Sequence, residues 1–322
     1  MKYLIFASIA LPLLITACAQ KQREDAPIPQ RSLTTGMVPR FDATQAFRFL
    51  TAQTDFGPRN PGSSGYQKCL VFLQSELKKY ADTVSVQGFS YRTSRGEPHR
   101  GNNIIGRFHS HGGSRILLTA HWDTRPWADM DENPEDRSKP ILGANDGASG
   151  VAVLLEIARQ LNLLPPSVGV DIVFFDAEDT GETGSSESFA LGSQWFAKNL
   201  PPNTRYRFAI NLDMVGDKNL EIPREEYSDT YAPDLMDLIS STAKVLGYPQ
   251  FADRRVPGIY DDHMPLNKAN IPAVDLIDFN YPDETNRYWH TLQDTPDKCS
   301  PESLGAVGTV LLHVIYGQGT SF

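Results

Sequence analysis

Apolar, strand-like runs alternate with amphipathic helical stretches over most of the 322 residues. The strand-like runs cover residues 83–91, 103–108, 115–120, 170–175, 206–215 and 273–277. Helical spacing of apolar residues occurs in 43–52, 66–80, 151–161, 195–200, 235–246 and 303–316. This alternation predicts an α/β fold with a central mixed, largely parallel β-sheet flanked by helices. In such sheets, function is concentrated in the loops at the carboxyl ends of the strands.

Several loops at that predicted edge contain acidic or histidine side chains. In chain order these side chains are His121, Asp123, Asp146, Glu178, Asp179, Asp213 and His290. Each one alone has an ordinary explanation, since an aspartate before a helix is commonly a cap. Their joint placement at one edge instead indicates a metal centre. Histidine and carboxylates without cysteine favour catalytic Zn²⁺, while ligand type alone leaves Mn²⁺ and Co²⁺ open.

Acidic residues outnumber basic ones, 39 to 30, which gives a net charge of −9. That balance argues against nucleic acid as a partner. No internal repeat and no interior linker interrupt the body of the chain, so we predict a single catalytic domain over residues 41–322. We expect this domain to be a monomer.

The first residues combine a positive charge with an apolar stretch that ends near Thr16 and is too short to span a membrane. The following string, Ile15-Thr16-Ala17-Cys18, is similar to the lipobox of bacterial lipoproteins. We therefore predict a signal peptide over 1–17, acylation of Cys18 and a flexible tether over 18–40. The protein is then expected in a bacterial cell envelope, lipid-anchored and either facing the periplasm or exposed at the surface. A plain secretory signal peptide is the alternative.

With Cys18 assigned to a lipid, Cys69 and Cys299 are the remaining cysteines. They could pair in an oxidising envelope, or Cys69 could simply lie in the core on its predicted helix. The residues leave both alternatives open.

Collinear motifs resemble the zinc aminopeptidases of the M28 type. They are His121-x-Asp123, Gly143-Ala-Asn-Asp146-Gly147, Glu178-Asp179, Asn211-Leu-Asp213-Met214 and His290-Thr291. Within that group the chain is more similar to glutaminyl-peptide cyclotransferases, through the strings Phe56-Gly57-Pro58-Arg59, Asn102-Asn103-Ile104-Ile105-Gly106, Asp261-Asp262-His263-Met264-Pro265 and Trp289-His290-Thr291. The run from His121 to Asp129 resembles the bacterial branch.

This resemblance implies a role for each matching residue. One Zn²⁺ would be held by Asp146, Asp179 and His290. Glu178 would be the general acid and base, Asp213 and Asp261 would form a hydrogen-bonded pair that orients the substrate, and Trp289 would form a wall of the pocket. In the aminopeptidase relatives the positions of His121 and Asp213 bind a second zinc, with Asp146 bridging. His121 and Asp123 are therefore candidates for a second metal or for supporting the first one.

The chain departs from the animal cyclases at two points. A shorter ligand, Asp179, stands where the animal enzymes have glutamate. A tryptophan of their pocket is also missing, and the chain has Gly181-Glu182-Thr183-Gly184 there. We expect Trp127 or Trp122 to supply that wall.

The implied activity converts the N-terminal glutamine of peptides or proteins to pyroglutamate and releases ammonia, with a single zinc. The alternative is a di-zinc aminopeptidase of the M28 type. A non-catalytic surface binding lipoprotein is a third hypothesis, which the complete set of candidate ligands disfavours.

Overall fold

A computed structural model describes residues 38–109 and 113–318 of the chain. The predicted signal peptide, the predicted acylation site Cys18 and most of the predicted tether lie outside these ranges. Within them, no helix combines the length and the apolar character that crossing a membrane requires.

The described residues form eight strands and eight α-helices. The strands are β1 (Thr83–Arg92), β2 (Pro98–Phe108), β3 (Arg115–His121), β4 (Gly169–Phe175), β5 (Tyr206–Asp213), β6 (Ile222–Glu225), β7 (Phe251–Val256) and β8 (Ala273–Ile277). The helices are α1 (Ala43–Thr54), α2 (Ser64–Tyr80), α3 (Ala148–Leu163), α4 (Leu191–Lys198), α5 (Glu226–Tyr231), α6 (Pro233–Leu246), α7 (His263–Lys268) and α8 (Pro301–Gly317).

Six strands form the central sheet in the order β1-β2-β4-β3-β5-β8. The pairs β1–β2 and β2–β4 are antiparallel, whereas β4, β3, β5 and β8 run parallel to one another. Helices α1, α3 and α8 pack together on one face, and α4 packs against α7 on the other. The predicted fold class, a mixed and largely parallel sheet flanked by helices, is confirmed.

Two glycines bring the start of α3 against the sheet beside the predicted site. A Cβ atom on Gly150 would lie 2.3 Å from the carbonyl oxygen of Leu212, and one on Gly147 would lie 2.4 Å from Nε2 of His121. Real Cβ atoms do not approach so closely. Because neither glycine has a side chain, the start of α3 packs close enough to the sheet to place Asp146 next to His121.

The two cysteines of the folded body are both buried, and both are free. Cys69 lies on α2 within the main hydrophobic core, and Cys299 belongs to the same core. The alternative in which they form a disulfide is therefore wrong.

Candidate metal centre and active site

The predicted site residues converge at the carboxyl edge of the parallel strands. His121 is the last residue of β3, and Asp213 is the last residue of β5. Glu178 and Asp179 follow the end of β4, which pairs with β3 in the sheet. This edge therefore gathers the acidic loops, as the order of motifs predicts.

Three predicted ligands, Asp146, Asp179 and His290, are buried and offer atoms that all lie within 4.8 Å of one another. Nε2 of His290 lies 3.2 Å from Oδ1 of Asp179 and 3.6 Å from Oδ2 of Asp146. Ligand atoms at about 2.0–2.2 Å from a tetrahedral zinc are themselves about 3.3–3.6 Å apart. Among the described residues, Oδ2 of Asp179 is buried without any hydrogen-bond partner. The donor set therefore fits a zinc ion.

A second group of buried ligand atoms consists of His121, Asp146 and Asp213. Nε2 of His121 lies 3.1 Å from Oδ1 of Asp146 and 3.1 Å from Oδ1 of Asp213. Asp146 thus belongs to both groups, with one carboxylate oxygen toward each. This geometry resembles the bridged pair of sites that the aminopeptidase alternative requires.

Asp123 lies behind both groups and belongs to neither. Its carboxylate accepts hydrogen bonds from the backbone N–H groups of Glu178 (3.1 Å) and Asp179 (3.3 Å). Its Oδ1 atom also lies 3.7 Å from Nδ1 of His121. Asp123 therefore orients the loop that carries Glu178 and Asp179. Of its two predicted roles, this contact fits support of the first metal rather than binding of a second one.

Two further residues position the ligands and were not identified from the sequence. The Asp294 carboxylate accepts hydrogen bonds from the backbone N–H groups of Asn145 (2.8 Å) and Asp146 (3.1 Å) and from the Tyr281 hydroxyl (2.8 Å). The fully buried Arg59 guanidinium donates to carbonyl oxygens in the same loop, including that of Gly143 at 2.7 Å. The Phe-Gly-Pro-Arg string contains Arg59, but the string alone does not indicate that Arg59 contacts this loop.

Glu178 is buried beside the metal groups without belonging to either. Burial raises the pKa of its carboxyl group well above the ordinary value, and the charges of Asp179 and Asp213 raise it further, against the opposing effect of His121. A carboxyl group with a raised pKa holds a proton more readily, so it can both accept and return one during a reaction. Its position therefore suits a general acid and base.

Asp213 and Asp261 are both buried near the carboxyl end of β5. Asp213 contacts His121, whereas Oδ1 of Asp261 accepts a hydrogen bond from Nδ2 of Asn211 at 3.2 Å. Burial, together with the charges of Asp275, Asp213 and Glu178, raises the pKa of Asp261 well above its usual range. Among the described residues no hydrogen bond joins Asp213 to Asp261, and the charge of Asp275 raises the pKa of Asp261 more than that of Asp213 does, so the hydrogen-bonded pair stays a prediction.

The three predicted wall residues differ in what they contact. Trp289 is half-buried and its ring stacks on that of His290, with centroids 3.7 Å apart. Trp127 is nearly buried beneath the guanidinium of Arg95, which lies 3.8 Å from its ring centroid. Trp122 is fully buried against Tyr66, and its indole N–H donates to a backbone carbonyl. Because Trp122 has no exposed surface, its prediction as a pocket wall is wrong.

Residues 103–315 match the model of peptidase family M28. A solved glutaminyl cyclase from Bacteroides thetaiotaomicron, bound to N-acetylhistamine, is 40% identical with a TM-score of 0.84, over 87% of this chain and 99% of that one. A solved Zn-dependent exopeptidase from Parabacteroides distasonis is 39% identical with a TM-score of 0.84, at the same coverage of 87% and 99%. A curated glutaminyl-peptide cyclotransferase from Bothrops jararaca is 24% identical over 298 residues, 80% of this chain and 78% of its own length.

Proposed function

Because this chain belongs to peptidase family M28 and is 40% identical to a solved bacterial glutaminyl cyclase, we propose that it is a zinc-dependent glutaminyl-peptide cyclotransferase. As a member of this family the protein is an enzyme, and the proposal concerns its reaction, its metal and its acyltransferase class. One observation carries the proposal. Glu178 is buried, lies next in sequence to the proposed ligand Asp179 and belongs to neither ligand group.

Asp146, Asp179 and His290 would hold a single zinc ion, because their donor atoms have the spacing of tetrahedral ligands. When bound, zinc acts as a Lewis acid that polarises the γ-carbonyl group of the substrate glutamine. Asp123 and Asp294 keep the ligand loops in place through the backbone hydrogen bonds described above.

In the proposed reaction the α-amine of an N-terminal glutamine attacks the γ-carboxamide of the same residue. The nucleophile is already tethered to its target, so the enzyme does not need to activate water. Glu178 takes a proton from the α-amine and delivers it to the departing nitrogen, which leaves as ammonia. The bond formed is the lactam of pyroglutamate, and the bond broken is the carboxamide C–N bond.

The remaining residues bind and enclose the substrate. The carboxyl oxygens of Asp213 and Asp261 can accept hydrogen bonds from the substrate amine, and the surplus of carboxylates at this edge favours an entering ammonium group. Trp289 offers an apolar wall beside His290 that shields the reacting amide from water. Peptides and proteins that begin with glutamine are therefore the proposed substrates.

A di-zinc aminopeptidase is the second candidate function. It is favoured by the second ligand group of His121, Asp146 and Asp213 and by the similarity to a solved Zn-dependent exopeptidase. In that reaction Glu178 would take a proton from the attacking water, and the first peptide bond would break.

Mass spectrometry separates the two candidates. We expect the zinc-loaded protein to convert a glutamine-initiated peptide to a product that has lost one ammonia, faster than the peptide cyclises without enzyme. Matched peptides that begin with leucine or asparagine should stay unchanged. Release of free glutamine and a shortened peptide would instead establish the aminopeptidase.

A further inference from the structure

Arg125 and Asp129 form an ion pair in the loop that follows β3, in which the arginine is buried and the aspartate is partly exposed. The Arg125 side chain is almost completely buried. Its Nε and Nη2 atoms donate to Oδ1 and Oδ2 of Asp129, each at 2.6 Å. Two parallel hydrogen bonds of this kind fix the plane of the guanidinium as well as its position. We refer to these two residues as the Arg125–Asp129 pair.

The remaining guanidinium nitrogen of the pair reaches a proposed zinc ligand. Nη1 of Arg125 lies 3.1 Å from Oδ1 of Asp179 and 3.3 Å from the carbonyl oxygen of the same residue. It also lies 3.3 Å from the carbonyl oxygen of Gly181. One guanidinium therefore holds both the side chain and the backbone of Asp179. A short aspartate side chain reaches a metal only where its backbone is brought close, and these contacts fix that backbone.

The acidic half of the pair lies beside a second proposed ligand. Oδ1 of Asp129 is 3.7 Å from Nδ1 of His290, and the backbone N–H of Met130 donates to the carbonyl oxygen of His290 at 3.3 Å. Two residues further on, Asp131 accepts a hydrogen bond from the backbone N–H of Leu292 at 3.1 Å. His290 has a φ of 54°, in the left-handed region that is costly for residues other than glycine. The Asp129–Asp131 segment therefore supports a conformation that His290 would not adopt unaided.

We propose that the Arg125–Asp129 pair is a positioning device that sets Asp179 and His290 at the separation required by zinc. The inference rests on the proposed zinc site. The guanidinium would compete with a metal for the Asp179 carboxylate if its charge were unbalanced. The bidentate contact with Asp129 neutralises that charge and leaves a single nitrogen for Asp179. Positioning and charge balance thus come from the same two side chains.

The test compares zinc affinity among four variants of the protein, measured by competition with a chelator of known affinity. The variants are Arg125→Met, Arg125→Lys, Asp129→Asn and the matched control Arg115→Met. Arg115 is also a buried arginine, bonded to Asp171 and to carbonyl oxygens at the opposite edge of the sheet. We expect Arg125→Met to weaken zinc binding about 10–100-fold, the usual effect of removing a residue that orients a metal ligand.

Graded results are expected from the other variants. Arg125→Lys should recover part of the affinity, because an ammonium group cannot reproduce the bidentate contact while also reaching Asp179. Asp129→Asn should weaken binding less than Arg125→Met, and Arg115→Met should leave it within about twofold. At saturating zinc, Arg125→Met should lower kcat with little change in KM, because Arg125 contacts a ligand and not the substrate.

The outcomes separate this inference from the proposed function. A wild-type protein that binds no zinc overturns both. A wild-type protein that binds zinc tightly, with unchanged affinity in the folded Arg125 and Asp129 variants, overturns only the positioning role. An equal loss of affinity in Arg115→Met also overturns it, because that loss would reflect general destabilisation. If Arg125→Met does not fold, the isosteric Asp129→Asn variant decides the question.

Discussion

Buried carboxylates lie at both ends of the same parallel strands, one at the amino edge and several at the carboxyl edge, and their charges are balanced very differently. At the amino edge, Asp171 is bonded to two guanidinium groups, those of Arg107 (3.1 Å) and Arg115 (2.9 Å), and to the hydroxyl of Tyr206 (2.8 Å). At the carboxyl edge many carboxylates share few cations, and burial there raises the pKa of Asp146 and Glu178.

The difference between the two edges indicates what each is for. A carboxylate that has only a structural role is neutralised by its own side-chain partners, as Asp171 is. A surplus of acids is costly unless a cation from outside the chain completes it. A metal ion and the ammonium group of a substrate are such cations. Unbalanced buried charge therefore marks the functional edge of this sheet more directly than any single residue does.

The largest expected effect is at the functional edge, on substituting Glu178 by glutamine. Glu178→Gln keeps the size of the side chain but removes the proton acceptor, so we expect kcat to fall about 10²–10⁴-fold with zinc still bound. The matched control is Glu182→Gln, an exposed glutamate of the same loop, which should retain full activity. Turnover and zinc content are measured on the same samples. If Glu178→Gln loses its zinc, the residue is a ligand and its assignment as acid and base is wrong.

The structural edge should respond in the opposite way. Arg115→Met leaves Asp171 buried with only the half-buried Arg107 as a cationic partner. Removing one partner of a buried ion pair typically costs about 3–5 kcal/mol, so we expect a loss of that order in the free energy of unfolding. The kcat/KM of the folded variant should stay at the wild-type value.

Urea denaturation measures this loss, with Arg107→Met as a milder comparison. Because Arg107 is more exposed than Arg115, its removal should cost about 1 kcal/mol or less. A fall in kcat/KM in the folded Arg115→Met protein would contradict a purely structural role for the amino edge.

Strands that are buried on both faces are among the parts of the fold that sequence patterns predict most directly. Strands β3 and β4 are buried almost throughout, so each is visible as a short apolar run. Strands β6 and β7 were missed because they contain charged residues, and β7 is largely exposed. Helix α7 was missed because it spans only six residues and contains a proline. Short elements stabilised by tertiary contacts leave no periodic pattern.

Some residues of the candidate site could be predicted from the sequence, and others could not. Motif order located Asp146, Asp179 and His290, because carboxyl ends of parallel strands meet wherever the fold is adopted. The same motifs could not tell that Trp122 faces the core, since an aromatic residue in a loop is compatible with either side. Arg125 and Asp294 were missed because charged loop residues usually lie in solvent. Their burial depends on contacts with segments distant in sequence.

The smallest effect expected at the functional edge concerns the stability cost of its surplus of acidic residues. Asp262 is buried at the functional edge, and burial raises the pKa of its carboxyl group to about 7. The folded protein therefore binds this proton more tightly than the unfolded chain, so the destabilisation grows as pH rises from about 4 to about 7 and is complete above that. A nearby bound cation offsets part of this cost.

We expect Asp262→Asn to gain about 1–2 kcal/mol of stability relative to wild type between pH 5 and pH 8. Asp253→Asn, at an exposed position on β7, should show no such pH-dependent gain in parallel urea titrations. An Asp262→Asn protein whose stability follows the wild-type pH profile would mean that this carboxylate is already neutralised in the fold. The negative charge at the functional edge would then be better neutralised than its side chains alone indicate.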